Sequence, residues 1–334
     1  MVPIIRNMVP RSRIVGTGGY IPARIATNEE LAGLTGMTPA AIHRRTGIRE
    51  RRWAVPDEAT SALALRAATA ALKAAGTQAS ALDAIILSTT SPDTPMPAAA
   101  CHLQRTLGAK RAFAFDLAAS CSGFLYALSV GDLMIRQGQA SRVLVAAAEV
   151  KSRYLNFKDG NTAILFGDGA GAAVLAPGDE RHGVLSVGLH ADGSRADLIA
   201  IPAGGSRLPA SDKTVAEGLH AIHMRGPSLF RVAVRRLETA VTETLKEHGL
   251  KVRDIACFIF HQANGRLLEK VTERLGIPEE RTFSMIERCG NTSSSSLPLT
   301  LDAAVRAGRV KPGDLVLLGT IGGGLTWGTA LIRW

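Results

Sequence analysis

Apolar and polar positions along this chain keep two rhythms. Short unbroken apolar runs mark buried strands, and longer Ala-rich stretches with apolar residues at helical spacing mark the helices between them. Residues 13–21, RIVGTGGYI, are such a run, breaking at a Gly pair. A Thr-capped helix is expected over 27–35 and a second over 37–46. The Ala-rich 59–75 predicts a helix ended by Gly76, and LDAIILSTTS, 82–91, an apolar strand. A loop punctuated by Pro92, Pro95 and Pro97 leads to a helix over 98–107 closed by Gly108. Residues 112–117 read as a buried strand, 122–137 as a helix apolar nearly all round, 142–150 as a strand, and 162–177 as two strands with glycines between them.

The order then repeats. A helix over 228–248 ends at Gly249, the strand DIACFIFHQ, 254–262, matches LDAIILSTT, and a helix over 265–275 closes at Gly276. NTSSSSLPLTLDAAVRAG predicts a Ser/Thr-capped helix, followed by the strands DLVLLGTIGGG and TWGTALIRW. Asp83 matches Asp254 at a shift of about 170 residues, which also carries Cys121 close to Asn291. The pattern predicts an α/β protein of two similar halves, 1–177 and 178–334, related by a pseudo-twofold, with Pro177 to Arg181 as linker. Their mixed sheets would carry helices on both faces.

Composition narrows the class. At 334 residues, with 46% hydrophobic and 20% charged residues, the chain is an ordinary globular enzyme in two lobes. Aromatics at 4% leave no stacking surface for single-stranded nucleic acid. The net charge of +10 is spread along the chain, which suits an acidic partner or a phosphate-bearing ligand. Cys101, Cys121, Cys257 and Cys289 lack CxxC or Cys/His spacing, so neither a metal site nor a disulfide framework is expected, and a reducing cytoplasm fits. No segment has membrane-spanning length, and the N-terminal MVPIIRNMVPRSR lacks a cleavable signal.

The chemistry centres on Ala112 to Gly138. Cys121 stands at a strand-to-helix elbow, where helix N–H groups and the helix dipole favour thiolate over thiol and can hold an oxyanion. A small buried core thiol is the other reading of the same residue. His261 ends an apolar strand and Asn291 precedes the second central helix, so packing the halves face to face would bring both to Cys121. Taken singly, His261 is equally a core histidine and Asn291 a helix cap. The Gly triplet of GTIGGGLTWG is either a tight bend or a close backbone approach to substrate, with the Gly323 N–H completing an oxyanion hole beside that of Cys121. GTGG near the N-terminus has no following helix and is no dinucleotide loop. In RRTGIRERRW, Arg44, Arg45, Arg49, Arg51 and Arg52 form either a solvated basic loop or a clamp for a ligand's phosphates. The order Cys, His, Asn also fits a papain-like hydrolase, although its halves would not repeat, and the basic surface alone would fit a non-enzymatic scaffold for an acidic protein.

AASCSGF, FGDGAGAAVL, LHADGS, HQANGR, CGNTSSSS and IGGGLTWGTALIRW, in this order, strongly resemble the β-ketoacyl-acyl-carrier-protein synthase III family of the thiolase-like superfamily, over Arg13 to Trp334. The resemblance implies a five-layered αβαβα thiolase fold, a cytoplasmic homodimer, and a catalytic triad of Cys121, His261 and Asn291. It implies decarboxylative condensation of an acyl-CoA primer with malonyl-acyl carrier protein through an acyl-cysteine. No cofactor or metal is implied, coenzyme A thioester being a substrate. By position, Arg45, Arg153, Gly226, Phe230, Asn264 and Arg266 would bind coenzyme A, and Arg231, Arg266 and Arg274 would dock the carrier protein. The chain departs from the family at Ala41, where a tryptophan is frequent, at Met96, where a phenylalanine commonly reaches across the dimer into the acyl pocket, and at Glu273, usually basic. The departures keep open an acyltransferase or condensing enzyme of a polyketide or quinolone pathway on the same fold.

Overall fold

The computed structural model describes residues 11–179 and 182–334. In the first half β1 (Ser12–Tyr20) leads into a ribbon of β2 (Arg24–Thr27) and β3 (Glu50–Trp53) that encloses α1 (Asn28–Thr35) and α2 (Pro39–Thr46). Then follow α3 (Thr60–Ala74), β4 (Ala84–Ser88), α4 (Ala99–Leu107), β5 (Phe113–Leu117), α5 (Gly123–Arg136), β6 (Val143–Glu149), α6 (Gly160–Ala163) and β7 (Gly169–Pro177). The second half runs β8 (Gly183–Ala191), β9 (Ile199–Ala200), α7 (Asp212–Ala216), β10 (His223–Met224), α8 (Gly226–Glu247), β11 (Cys257–Phe260) and α9 (Gly265–Leu275). It closes with α10 (Ile286–Cys289), α11 (Ser296–Arg306), β12 (Leu315–Gly322) and β13 (Thr326–Arg333).

The two main sheets repeat one order. The first is β1-β7-β6-β4-β5, the second β8-β13-β12-β11, with matching parallel and antiparallel pairs. A single parallel bridge between Phe258 and Thr282 stands where the second half would have its fifth strand. Apolar residues of α5 (Phe124, Leu128) and α11 (Leu297, Leu301) share one core with Ile86 and Val145 of one sheet and Ile259 and Val316 of the other. Helices α3 and α4 cover the outer face of the first sheet, and α8 and α9 that of the second. The layers are therefore αβαβα, the thiolase-like arrangement. A central helix packed between two sheets keeps little polar surface, which is why 122–137 is apolar nearly all round, although Leu133 near its C-terminal end is half exposed. Close approach of α11 to β7 needs Gly171, where a Cβ would lie 2.4 Å from the Leu299 amide nitrogen.

Several elements differ from the sequence reading. Residues 162–177 make one strand, because the backbone of 164–168 is taken by other partners. Ile164 O accepts from Arg51, Phe166 O from the Trp53 indole, and the Asp168 N–H donates to Arg52 O. β5 is an edge strand, with Phe113 half exposed in the single chain, where a buried strand was expected. The strand over 82–91 stops at Ser88, because Thr89, Thr90 and Ser91 turn to the carboxylate of Glu149. The repeat places Ser294, and not Asn291, opposite Cys121: β4 and β11 begin at Ala84 and Cys257, and the turns Ser120–Ser122 and Ser293–Ser295 precede α5 and α11. Both turns begin on a serine with positive φ, 48° at Ser120 and 54° at Ser293. Of the linker 177–181, residues 180 and 181 lie outside the described residues, as does most of the N-terminal MVPIIRNMVPRSR.

Candidate active site

A cavity of about 510 Å³ opens between the halves and is lined by Cys121, His261, Asn291, Gly322 and Gly323 together. Each of the three polar residues follows a short element end. Cys121 lies in the turn after β5, His261 directly follows β11, and Asn291 follows α10. The Cys121 turn is pinned to the other half, since Thr320 Oγ1 donates to Cys121 O (3.0 Å), Thr326 Oγ1 to Ala119 O (3.0 Å), and Ser122 Oγ to Thr326 O (2.9 Å). Gly322 lies flat against this turn, where a Cβ would stand 2.6 Å from Cys121 N.

The His261 main-chain N–H donates to Gly319 O (2.8 Å), and its ring Nδ1 lies 2.5 Å from Ser296 Oγ. Ser296 Oγ also accepts from the Gln262 N–H (3.2 Å), and its own proton is available to Nδ1, which suits the tautomer that carries the ring proton on Nε2. Full burial lowers the imidazole pKa to about 3, so the ring is neutral. Asn291 is fixed through Oδ1, which accepts from Ser293 N (2.9 Å), while Nδ2 donates to Ala263 O (3.3 Å) and keeps a second hydrogen free.

Burial pushes the Cys121 thiol up to about 11 against the lowering effect of its 3.5 Å contact with Ser293 Oγ. The helix-terminus argument for a resting thiolate is thereby corrected. α5 begins two residues later, at Gly123, and desolvation outweighs its dipole. Beneath the sulfur lies an ion pair that sequence reasoning missed, Glu149 Oε2 to Lys151 Nζ (3.1 Å), with side chains 0% and 4% exposed. Burial raises the Glu149 carboxyl, but Lys151 and the surrounding hydroxyls outweigh it and hold it below its ordinary value. The hydroxyl donors are Ser91 Oγ (2.6 Å), Ser294 Oγ (2.8 Å), Ser293 Oγ (3.2 Å), Thr90 Oγ1 (3.2 Å) and Thr89 Oγ1 (3.4 Å). Glu and Lys ending an otherwise apolar run, VLVAAAEVK, were the available signal.

The remaining sequence candidates separate into two groups. Arg45, Asn264, Gly226 and Phe230 line the cavity with the three polar residues. Arg45 donates to Asn161 Oδ1 (2.7 Å), and Asn264 caps α9 by accepting from Arg266 N (2.7 Å). Arg153 does not line it, and its Nη2 donates to the carbonyls of Val55, Pro56 and Glu58. Arg266 donates to Arg44 O and His43 O and pairs with Glu269. Arg231 is exposed on α8, and Arg274 pairs with Glu238. Met96 is 85% exposed and outside the cavity of this chain. The arginine-rich stretch is no single clamp. Arg51 is wholly buried and structural, Arg49 pairs with Glu287, Arg52 pairs with Glu50, and among the five only Arg45 reaches the cavity. Among the described residues no group of three His, Cys, Asp or Glu is placed to hold a metal.

Residues 115–193 match the family model described as 3-oxoacyl-[acyl-carrier-protein] synthase III, and 245–334 its C-terminal model. The chain is 46% identical to the β-ketoacyl-[acyl-carrier-protein] synthase III of Roseiflexus sp. over 98% of this chain and 99% of that one. It is similar to the crystal structure of 3-oxoacyl-[acyl-carrier-protein] synthase III from Aquifex aeolicus (TM-score 0.89, 40% identity, 97% of this chain and 100% of that one). It is also similar to a priming β-ketosynthase of a polyketide biosynthetic pathway (TM-score 0.88, 36% identity, 96% of each chain).

Proposed function

This chain belongs to the 3-oxoacyl-[acyl-carrier-protein] synthase III family, and on that premise we propose how its residues divide the reaction of an acyltransferase that starts fatty acid synthesis. Cys121 is the nucleophile. Its sulfur attacks the carbonyl carbon of an acyl-CoA, the C–S bond to coenzyme A breaks, and the proton of the cysteine thiol ends on the coenzyme A sulfur. The N–H groups of Cys121 and Gly323 hold the oxyanion of the tetrahedral intermediate. Donors aimed at developing charge contribute about 10²–10³ in rate each.

Malonyl-acyl carrier protein then occupies the same cavity. The Nε2–H of neutral His261 and the free amide hydrogen of Asn291 donate to its thioester oxygen. Carbon dioxide leaves, the electron pair passes into the enolate, and the enolate carbon attacks the acyl-cysteine, releasing the sulfur as a thiolate that takes a proton from water to restore the thiol. An imidazolium would be the stronger donor but could also protonate the carbanion, so a ring kept neutral by burial suits the step. Arg45, Asn264, Gly226 and Phe230 border the pantetheine path, and Arg231, Arg266 and Arg274 offer positive charge to an acidic carrier protein. Two halves meeting near residue 177, a homodimer formed through the β5 edge with Met96, and a cytoplasmic location complete the reading. The matching strand orders, the exposed edge and the free cysteines support it.

One observation carries the assignment: thiol, neutral imidazole and carboxamide from two halves line one cavity. Intact-protein mass after mixing with acetyl-CoA or octanoyl-CoA tests it. Cys121→Ala should gain no acyl mass, while His261→Ala and Asn291→Ala should acylate and fail to release carbon dioxide from malonyl-acyl carrier protein. Full condensation by either of the latter two refutes the division of roles. Polyketide priming is the second reading, favoured by the likeness to a priming ketosynthase, and a primer panel with product masses separates the two.

A further inference from the structure

Glu149 holds more donors than one carboxylate needs. Oε1 accepts from the hydroxyls of Ser293, Ser294 and Thr90, and Oε2 from Ser91 Oγ, Thr89 Oγ1, the Thr90 N–H and Lys151 Nζ. Of these, Ser293 Oγ gives one of the longer contacts (3.2 Å) and also lies 3.5 Å from Cys121 Sγ, where either atom can donate. We propose that the Ser293 hydroxyl is a donor switch for the nucleophile: it donates to Glu149 while Cys121 is a thiol, and turns its proton to the sulfur when the thiolate forms. No bond of Ser293 breaks, since only its O–H rotates. The cysteine proton leaves for the coenzyme A sulfur as written above. Glu149 keeps its other donors after the turn, so the switch leaves no buried acceptor bare, whereas a carboxylate held by Ser293 alone could not release it.

The two charges beneath the sulfur have opposed effects. Glu149 raises the thiol, and Lys151, with Ser293, lowers it. Of the other titratable groups that line the cavity, His261 is neutral, and Arg45 and Asp159 are not among the groups that move the thiol. Ser293 is therefore a catalytic residue that touches the reacting sulfur, and Glu149 is a positioning residue that acts through it. The left-handed backbone at Ser293 (φ 54°) turns its side chain into the space between the carboxylate and the thiol.

The proposal rests on Cys121 being the nucleophile, and its test is separable from that reading. Alkylation of Cys121 by iodoacetamide would be followed from pH 6 to 10 by peptide mass, so that the exposed Cys101 is counted apart. On the rising limb one unit of thiol pKa is a tenfold change in rate. Ser293→Ala should slow alkylation about tenfold at fixed pH and shift the profile up by about one unit, the size expected for losing a hydrogen bond to a charged group. Ser293→Gly removes the same hydroxyl and accepts a positive φ, so it decides the matter if the alanine variant does not fold. Glu149→Gln should shift the profile down, with faster alkylation. Opposite signs at two residues of one network are not what loosened packing produces. If both Ser293 variants alkylate as the wild type does across the range, or if the Ser293 and Glu149 variants shift in the same direction, the switch is refuted. Failure of acyl-CoA to label wild-type Cys121 would refute instead the reading it rests on.

Discussion

Gly322→Ala is the sharpest test of how the two halves assemble the site. Gly322 is not among the glycines with positive φ, so an alanine there meets no backbone penalty of its own. Its obstacle is position: the new Cβ would lie 2.6 Å from Cys121 N, 3.0 Å from Ser122 N and 3.1 Å from Cys121 Cα. Ordinary contact begins at 3.4 Å, so the cysteine turn or the end of β12 must retreat by about 0.8 Å. All three obstructing atoms are backbone, and the turn is tied to β12 and β13 by Thr320, Thr326 and Ser122, so no side-chain rotation relieves the clash. Overpacking of this kind costs about 1–3 kcal/mol, which lowers the melting temperature by several degrees. A displacement near 1 Å at a reacting group costs on the order of 10² in rate. Single-turnover acylation by acetyl-CoA, followed by intact mass, should therefore slow about a hundredfold while the protein still melts cooperatively. Gly323→Ala is the control for stability alone, because its Cβ meets only side-chain and carbonyl atoms at 3.0 Å or more and should cost far less stability. Acylation of Gly322→Ala at the wild-type rate would show that the turn and β12 are not held in register as argued.

Two further outcomes follow from the buried charges and the buried ring. Lys151→Met leaves Glu149 ionised and unpaired in the core, which should destabilise the fold by about 3–5 kcal/mol in urea titration. Glu149→Gln with Lys151→Met should recover most of that loss, and equal stability of the single and double variants would contradict the pairing. For His261, the folded pKa of about 3 lies below the ordinary 6.5, so the unfolded chain takes up the proton first. The stability contributed by the neutral ring is whole above about pH 6.5 and is lost as pH falls toward 3, by about 1.4 kcal/mol for each pH unit. His261→Gln should therefore show a flatter melting temperature than wild type between pH 6 and 4, and parallel curves would mean that the ring is protonated in the fold.

The apolar rhythm of this chain determined most of its architecture. Phe124 to Ile135, apolar nearly all round, pointed to the middle of the molecule, and the repeat of LDAIILSTT in DIACFIFHQ foretold two sheets of one order. The family motifs marked Cys121, His261 and Asn291, which the fold brings to one cavity. What the sequence could not determine is what desolvation and partner choice do at each position. The same cysteine at a helix start could ionise easily or with difficulty, and burial decided for the thiol. Arg153 and Arg266 read as ligand-binding arginines, and the fold also ties them to main-chain carbonyls and Glu269, while Arg51 became a buried brace. VLVAAAEVK hinted at the Glu149–Lys151 pair but not at its role, because the other partners of Glu149, Ser91 and Ser293, lie about 60 and 140 residues away in the chain. Hydrophobic periodicity is a local property and survives translation into structure, whereas the electrostatics of a site depends on which distant groups share its low-dielectric volume, and only the packing of the halves fixes that.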